Sequence, residues 1–181
     1  MHKFDTISSK SILKNPYWEY KVNQYVMPND EIGEYHFVNS NGATFIIPRL
    51  NETTFVLIRQ YRYLNNRMSI EFPGGGIEKN LDKIDNAKKE LKEETGYIAK
   101  SLIEIGEFNP YHGVTNEICS LFLADGLKFS KTNFDLSEEI ENIELTYGEI
   151  NDKIKNGEIW DGMSLAAWSI FIFSKYNRRV L

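Results

Sequence analysis

The stretch Glu71-Phe-Pro-Gly-Gly-Gly-Ile-Glu78, continued by Lys88-Lys-Glu-Leu-Lys-Glu-Glu-Thr-Gly-Tyr97, decides the fold of this chain. Its second half predicts a helix that begins at a capping aspartate, either Asp82 or Asp85. The helix should end at Gly96, because glycine readily adopts the left-handed turn that follows a last helical residue. Three glutamates lie three and four positions apart on one flank of this helix: Glu90, Glu93 and Glu94.

Three carboxylates on one helical flank repel one another, by roughly 0.2–0.5 kcal/mol for each like-charged pair in an isolated helix. A hard divalent cation is the natural counter-charge, because Mg²⁺ prefers one or two carboxylates together with water and phosphate oxygens. The preceding glycines, Gly74 to Gly76, form a loop in which the backbone can approach a ligand closely. The spacing therefore indicates a metal site that serves a phosphate compound.

These residues resemble the signature of the Nudix hydrolases: Gly, five residues, Glu, seven residues, then Arg-Glu-aliphatic-any-Glu-Glu-any-Gly-aliphatic. The signature falls on Gly75, Leu81, Lys89, Glu90, Leu91, Glu93, Glu94, Gly96 and Tyr97. Leu81 replaces the first glutamate and Lys89 replaces the arginine. Lysine lacks the planar donor fork of arginine, so we expect an active enzyme with altered metal dependence.

The resemblance implies a role for each residue that matches. Glu90 and Glu94 would bind the metal directly, with the backbone carbonyl of Gly74 as a further ligand. Glu93 would be catalytic, binding or supporting the metal, and Gly75 would contact the substrate. Mg²⁺ is the expected cofactor, with Mn²⁺ as a substitute.

The chain also resembles one branch of the family, the ADP-ribose pyrophosphatases, through Arg59-Gln-Tyr-Arg62 and through a small leading sheet. This resemblance implies that Arg62 contacts the substrate, which suits a pyrophosphate because a guanidinium fork fits phosphate oxygens. It also implies a homodimer that exchanges the leading sheet, with Trp18 stacking on the adenine bound by the partner subunit. Asn23 stands where some relatives carry an arginine that helps to hold the nucleoside.

An acidic segment, residues 136–144, is the expected source of the catalytic base. By resemblance Glu139 matches that base, and Glu141 matches a further metal ligand. The alternative reading, a solvated run of charge, stays open for each of these two residues.

The fold predicted for the whole chain is α/β: a Nudix-like α/β/α sandwich with a mixed sheet, plus a small N-terminal antiparallel sheet used in dimerisation. We place the dimerisation piece at residues 1–42 and the hydrolase domain at residues 43–181. The first fifteen residues are predicted to form an arm, and the strand 18–27 to contain a bulge near Asn23 or Gln24. The last helix, 163–176, is apolar almost all round and should lie buried on the sheet.

The composition excludes some partners. The chain has 181 residues, with 21 Lys and Arg against 26 Asp and Glu, for a formal net charge of −5. That charge argues against nucleic acid or an anionic membrane as a partner. The single cysteine, Cys119, should be buried packing in a reducing compartment. Without a secretory signal or an apolar run of about 18 residues, the expected location is the cytoplasm.

The resulting prediction is Mg²⁺-dependent hydrolysis of a nucleoside diphosphate linked to another group, with ADP-ribose giving AMP and ribose 5-phosphate. The alternative within the enzymes is a pyrophosphatase of GDP-mannose or another nucleotide sugar. The alternative outside them is a non-catalytic nucleotide sensor, for which Leu81 and Lys89 are the support. A P-loop nucleotidase is disfavoured, because no Gly-Lys-Ser/Thr follows Gly76.

Overall fold

A computed structural model describes residues 3–130 and 140–177. Within these residues the strands are β1 Thr6–Lys14, β2 Glu19–Val26, β3 Ile32–Asn39, β4 Ala43–Arg49, β5 Thr54–Arg62, β6 Arg67–Glu71, β7 Gly74–Gly76, β8 Tyr97–Phe108, β9 Cys119–Phe129 and β10 Glu141–Thr146. The helices of the same residues are α1 Lys83–Thr95, α2 Tyr147–Lys155 and α3 Gly162–Phe173. A 3₁₀ turn, Tyr63–Asn65, links β5 to β6.

A mixed sheet of seven strands forms the centre of the molecule. Its main path runs β10-β5-β4-β9-β8, with β6 paired to β5 and β7 paired to β4. The pair β4–β9 is parallel, whereas the other pairs are antiparallel. Strand β7 is the glycine run itself, and Gly74 pairs with Phe45. The glycines are therefore fixed in the sheet rather than free in a loop.

Helices cover both faces of this sheet, and the alternation of side chains along β4 shows how. Phe45 and Ile47 point into a core that includes Trp168 of α3, whereas Ile46 between them points into a second core that includes Leu91 of α1. Successive strand residues face opposite sides of a sheet. The predicted sandwich with a mixed sheet is thus confirmed.

The small N-terminal sheet is also confirmed: β1, β2 and β3 form a separate three-stranded antiparallel sheet. The predicted arm is wrong, because residues 6–14 are strand β1. Every residue of β1 is exposed. A strand with no buried face does not need to alternate apolar and polar residues. Residues 6–14 therefore lack the alternating pattern that predicts a strand.

The bulge predicted at Asn23 or Gln24 is likewise wrong in its position. Strand β2 pairs with β3 without a register shift, from Glu19 opposite Asn39 to Val26 opposite Ile32. The shifts lie in the β1–β2 ladder, between Thr6 and Ser8 and between Ser11 and Leu13, where β1 carries the extra residue. A bulge in the central strand would disturb two ladders, whereas one in the edge strand β1 disturbs a single ladder.

Three further elements differ from the bounds that the sequence predicts. Residues 102–108 and 118–124 predict two strands, but β8 and β9 are longer because their partly exposed ends pair from Tyr97 opposite Phe129 inward. Helix α3 ends at Phe173 rather than at residue 176. Trp168 and Phe171 are buried, but the Phe173 side chain is 83% exposed, so this helix buries one face rather than its whole circumference. No described helix is long and apolar enough to cross a membrane.

Candidate metal and phosphate site

Helix α1 is held at both ends by the residues that the sequence predicted. The carboxylate of Asp82, rather than that of Asp85, is the N-cap, and it accepts the backbone N–H of Asp85 at 2.8 Å. Gly96 ends the helix with a φ of +72°, and its N–H donates to the carbonyl of Lys92. Both ends of α1 are therefore fixed, which fixes the direction of its acidic flank.

The glycine strand lies directly against that acidic flank. The N–H of Gly74 donates to Glu94 Oε2 at 2.8 Å. At Gly75 a Cβ atom would lie 2.8 Å from the carboxyl carbon and Oε2 of Glu90, closer than a real Cβ contact. Only glycine at this position lets the backbone reach Glu90 without displacing it. The structure thus brings together four of the predicted residues: Gly74, Gly75, Glu90 and Glu94.

Lys89 is the cation that faces these carboxylates in the described structure. Its Nζ atom lies 2.5 Å from Glu93 Oε2 and 3.6 Å from Glu90 Oε1. Partial burial opposes the charge on this ammonium, but the contacts with Glu93, Glu90 and Glu78 outweigh it and raise the pKa of Lys89 well above its ordinary value. The residue that replaces the signature arginine therefore stays charged and partly offsets the repulsion among the acids.

Glu90 is more deeply buried than its neighbours Glu93 and Glu78. Its side chain is 13% exposed. Burial, with Glu93 and Glu78 adding negative charge, raises the pKa of Glu90 even though Lys89 works in the opposite direction. A divalent cation beside Glu90 would stabilise the ionised carboxylate, which burial disfavours.

The donor set fits a hard divalent cation by its chemistry. Carboxylate oxygens and a backbone carbonyl are the ligands that Mg²⁺ takes, and the missing Cβ of Gly75 lets the Glu90 carboxylate lie directly against the glycine backbone. Within residues 3–130 and 140–177, no three acidic, histidine or cysteine side chains already converge as a metal cage. Glu93 and Glu94 instead contact Lys89 and Gly74. The side chains would have to turn from these contacts towards a metal.

Arg62, predicted to contact substrate, ends strand β5 and is paired with Glu71 at the end of β6. Arg62 Nε donates to Glu71 Oε1 at 2.7 Å, and Nη2 donates to Glu71 Oε2. This pairing raises the pKa of Arg62, and Asp161 and Glu94 add to the effect from further away. The guanidinium therefore lies within the electrostatic reach of the acidic flank of α1.

Glu71 is the residue that reasoning from the sequence missed. Its side chain is 2% exposed, and Gln60 Nε2 also donates to its Oε2 at 3.3 Å. A carboxylate is almost never buried unless it is paired. The signal in the sequence was a glutamate at the end of a strand, nine residues after an arginine that ends the strand before it.

The two acidic residues predicted after β9 have different outcomes. Glu139 lies outside the described residues. Glu141 begins β10, where its carboxylate is 63% exposed and pairs with Arg59 Nη1 at 3.1 Å. The next residue, Asn142, donates from Nδ2 to the carbonyl of Thr95 at 2.7 Å, so the start of β10 borders the end of α1 that carries Glu94.

Trp18 lies between β1 and β2, and its side chain is 42% exposed. Its backbone N–H donates to Asn15 Oδ1 at 2.8 Å. Trp18 lines a cavity of about 70 Å³ together with Tyr17, Asn39 and Lys79. Lys79 lies three residues after the glycine strand, so the Trp18 side chain borders the segment that leads from this strand into α1.

Comparison with known proteins agrees with this geometry. The model of the NUDIX domain family matches residues 40–166. A protein of Bacillus subtilis named ADP-ribose pyrophosphatase is 29% identical over 90% of this chain and 89% of its own. A protein of Bacillus methanolicus named methanol dehydrogenase activator is 31% identical over the same shares. A GDP-mannose pyrophosphatase of Escherichia coli is 31% identical over 69% of this chain and 70% of its own.

A solved structure supports the fold independently. The crystal structure of an ADP compounds hydrolase superposes with a TM-score of 0.81, covering 94% of this chain and 92% of that one, at 17% identity. Taken with the family model, which matches more than half of the residues, these findings settle the family. The chain belongs to the Nudix hydrolase family.

Proposed function

We propose that this enzyme hydrolyses the pyrophosphate bond of ADP-ribose, giving AMP and ribose 5-phosphate in a Mg²⁺-dependent reaction. The observation that carries the proposal is the contact of the glycine strand with the acidic flank of α1, through Gly74 with Glu94 and Gly75 with Glu90. The likeness to a protein named ADP-ribose pyrophosphatase over nine tenths of the chain supports the choice of substrate.

Glu90, Glu94 and the carbonyl of Gly74 would hold the divalent cation, and Glu141 would be a further ligand. When bound, the cation supplies positive charge to the diphosphate and lowers the pKa of a water that it binds. Mn²⁺, which takes similar oxygen ligands, would substitute for Mg²⁺. Glu93 supports the group from the same helix, and its contact with Lys89 fixes its position.

The substrate side of the site would be formed by Arg62 and Gly75. The Glu71 carboxylate orients the guanidinium of Arg62, whose remaining donors suit the oxygens of a phosphate. The backbone at Gly75 can approach a bound diphosphate because no side chain intervenes. Glu139 is the proposed base that takes the proton of the attacking water.

We assign residues 1–42 to dimerisation, residues 43–181 to the hydrolase domain, and the enzyme to the cytoplasm. Exposed apolar side chains on the N-terminal sheet and just before it support a homodimer, since such a surface marks an interaction site. They are Phe4, Ile7, Ile12, Leu13, Ile32 and Tyr35, each between 46% and 63% exposed. In such a dimer Trp18 would offer its indole face to the nucleobase held by the partner subunit.

The alternative substrate is GDP-mannose or another nucleotide sugar, which the likeness to a GDP-mannose pyrophosphatase supports. A non-catalytic nucleotide sensor is the alternative of another class. The paired phosphates are common to all these ligands, so the residues on α1 serve each of them equally. What distinguishes them is the group beyond the diphosphate.

A substrate panel tests the proposal. Purified enzyme is incubated with ADP-ribose, GDP-mannose and UDP-glucose, with Mg²⁺ and with EDTA, and the nucleoside monophosphate released is measured. We expect AMP from ADP-ribose, abolished by EDTA. Cleavage of GDP-mannose alone would select the alternative substrate. Binding of one compound without turnover of any would select the sensor.

A further inference from the structure

Glu78 is a third carboxylate at the Lys89 ammonium, and the family signature has no place for it. Glu78 Oε1 lies 3.3 Å from Lys89 Nζ, nearer than Glu90 Oε1 at 3.6 Å. Glu93 and Glu90 lie on α1 with the lysine, whereas Glu78 lies in the segment that joins β7 to α1. The ammonium is therefore shared between the acidic flank of the helix and one residue outside it.

The backbone of Glu78 is anchored beside the acidic flank of α1. The N–H of Glu78 donates to Asn86 Oδ1 at 3.1 Å. Asn86 is fully buried, and its Nδ2 donates to Thr44 Oγ1 of β4 at 2.9 Å. A buried amide that is satisfied on both sides holds its neighbours rigidly. The joining segment, helix α1 and the central sheet are thus linked at the residue that faces Lys89.

The chemistry of lysine makes this external contact matter. An arginine can hold two carboxylates at once through its planar fork, whereas a lysine is a point charge on a flexible chain. Where Lys89 lies is then decided by the balance of the charges around it. Without Glu78, the remaining contacts are Glu93 and Glu90, which the proposed function needs for the metal.

The signature glutamate is also absent in this chain, since Leu81 stands in its place. Leu81 and Glu78 belong to the same turn, because the N–H of Leu81 donates to the carbonyl of Glu78 at 3.1 Å. At one end of this turn, Leu81 stands where the signature has a carboxylate. At the other end, Glu78 provides a carboxylate. The departures at positions 81 and 89 are connected through a single residue.

We propose that Glu78 is a positioning residue for the metal site, acting through Lys89. It draws the ammonium towards the joining segment and away from Glu90, so that the Glu90 oxygens stay open to a divalent cation. This inference rests on the proposed function, because it takes α1 to be the metal-binding helix. Glu78 itself touches neither metal nor substrate in this scheme.

The test is Mn²⁺ affinity, measured by electron paramagnetic resonance of the free ion, in a double-mutant cycle. The variants are Glu78→Gln, Lys89→Met and the combination of both. We expect Glu78→Gln to weaken Mn²⁺ binding about tenfold, the low end for residues that orient metal ligands. In the Lys89→Met background the same change should have no effect, because the lysine through which it acts is gone.

A matched control is Glu104→Gln. Glu104 also pairs with a lysine near the start of α1, Lys83, at 3.5 Å, and the two side chains are about as exposed as Glu78. This variant removes the same charge without touching Lys89, and it should leave Mn²⁺ affinity unchanged.

Lys89→Arg is a second background. The effect of Glu78→Gln should be smaller there, because the planar guanidinium of arginine does not need the contact with Glu78. If circular dichroism shows that Lys89→Met is misfolded, the Lys89→Arg background takes its place in the cycle.

Equal weakening by Glu78→Gln in the wild-type and Lys89→Met backgrounds would overturn the inference, since Glu78 would then act on the metal itself. No weakening in the wild-type background would also overturn it, while leaving the proposed function intact. Failure of the wild type to bind Mn²⁺ at all would overturn the proposed function and the positioning role together.

Discussion

The guanidinium of Arg62 holds both carboxylate oxygens of Glu71, whose side chain is 2% exposed while that of Arg62 is 42% exposed. The buried Glu71 carboxylate therefore orients the Arg62 side chain, which is still partly exposed to solvent. Two of the five guanidinium donors are used in this pair, which leaves others for a ligand. An arginine that is oriented before substrate arrives loses less freedom on binding than one that is not.

Replacing Glu71 by glutamine should weaken both the fold and substrate binding. Breaking a buried ion pair costs about 3–5 kcal/mol, but Arg62 can turn to water, so we expect about 1–3 kcal/mol less free energy of unfolding. The KM should rise more than kcat falls, because Arg62 loses its orientation. Urea unfolding and steady-state kinetics measure the two effects. Glu52→Gln, at an exposed glutamate, is the control, and equal behaviour of the two variants would contradict the role of Glu71.

The glycine strand offers a matched pair of substitutions. In Gly75→Ala the new Cβ would lie 2.8 Å from Glu90 Oε2 and must push that carboxylate away, whereas in Gly76→Ala it would meet no atom within 4 Å. We expect Gly75→Ala to weaken Mn²⁺ binding and turnover, and Gly76→Ala to resemble the wild type. Calorimetric Mn²⁺ titrations compare them. Similar affinities in the two variants would show that Gly75 does not set the position of Glu90.

The single cysteine should be inert in the folded protein. Cys119 is fully buried in β9, and burial raises the pKa of its thiol to about 12. At pH 8 about one thiol in ten thousand would then be ionised, and the thiolate is the reactive form. A disulfide reagent should label Cys119 only after unfolding in urea. Rapid labelling of the native enzyme would mean that β9 opens to solvent.

The start of α2 should give the enzyme a pH-dependent contribution to stability. The backbone N–H and hydroxyl of Thr146 both donate to Glu149 Oε2, which lowers the pKa of Glu149. Because the folded protein favours the ionised form, this contribution is full above the ordinary glutamate pKa and is lost as the pH falls through the lowered value. Glu149→Gln should therefore destabilise the enzyme at neutral pH more than in acid. Urea midpoints that fall equally at both would contradict this.

Helix α1 was predictable because its signals are local, whereas the glycines, predicted as a loop, form strand β7 by pairing with distant β4. Asp82 caps the helix, Gly96 ends it, and the acids fall three and four residues apart, all within one stretch of sequence. The spacing of Thr146 and Glu149 in the sequence predicts the capping box of α2 for the same reason. Local backbone chemistry is carried by neighbouring residues, so a single sequence is enough to find it.

The parts that were missed depend on pairing across the fold. Strand β1 is exposed along its whole length and exists because β2 offers a ladder to it, which no pattern within residues 6–14 records. The Arg62–Glu71 pair arises because β5 and β6 form a hairpin that brings the two side chains to one end. Glu78 faces Lys89 in a segment that buried Asn86 ties to α1 and β4. Such contacts become visible once the register of the strands is known.

Glu94→Gln tests most directly whether the acidic flank of α1 carries the catalytic metal. The amide oxygen of glutamine can still accept the N–H of Gly74, so the fold should persist. We predict that release of AMP from ADP-ribose falls by more than about a hundredfold, beyond the usual effect of residues that merely orient ligands. Glu107→Gln, at an exposed glutamate of β8, should keep full activity. Wild-type turnover by a folded Glu94→Gln variant would contradict the account.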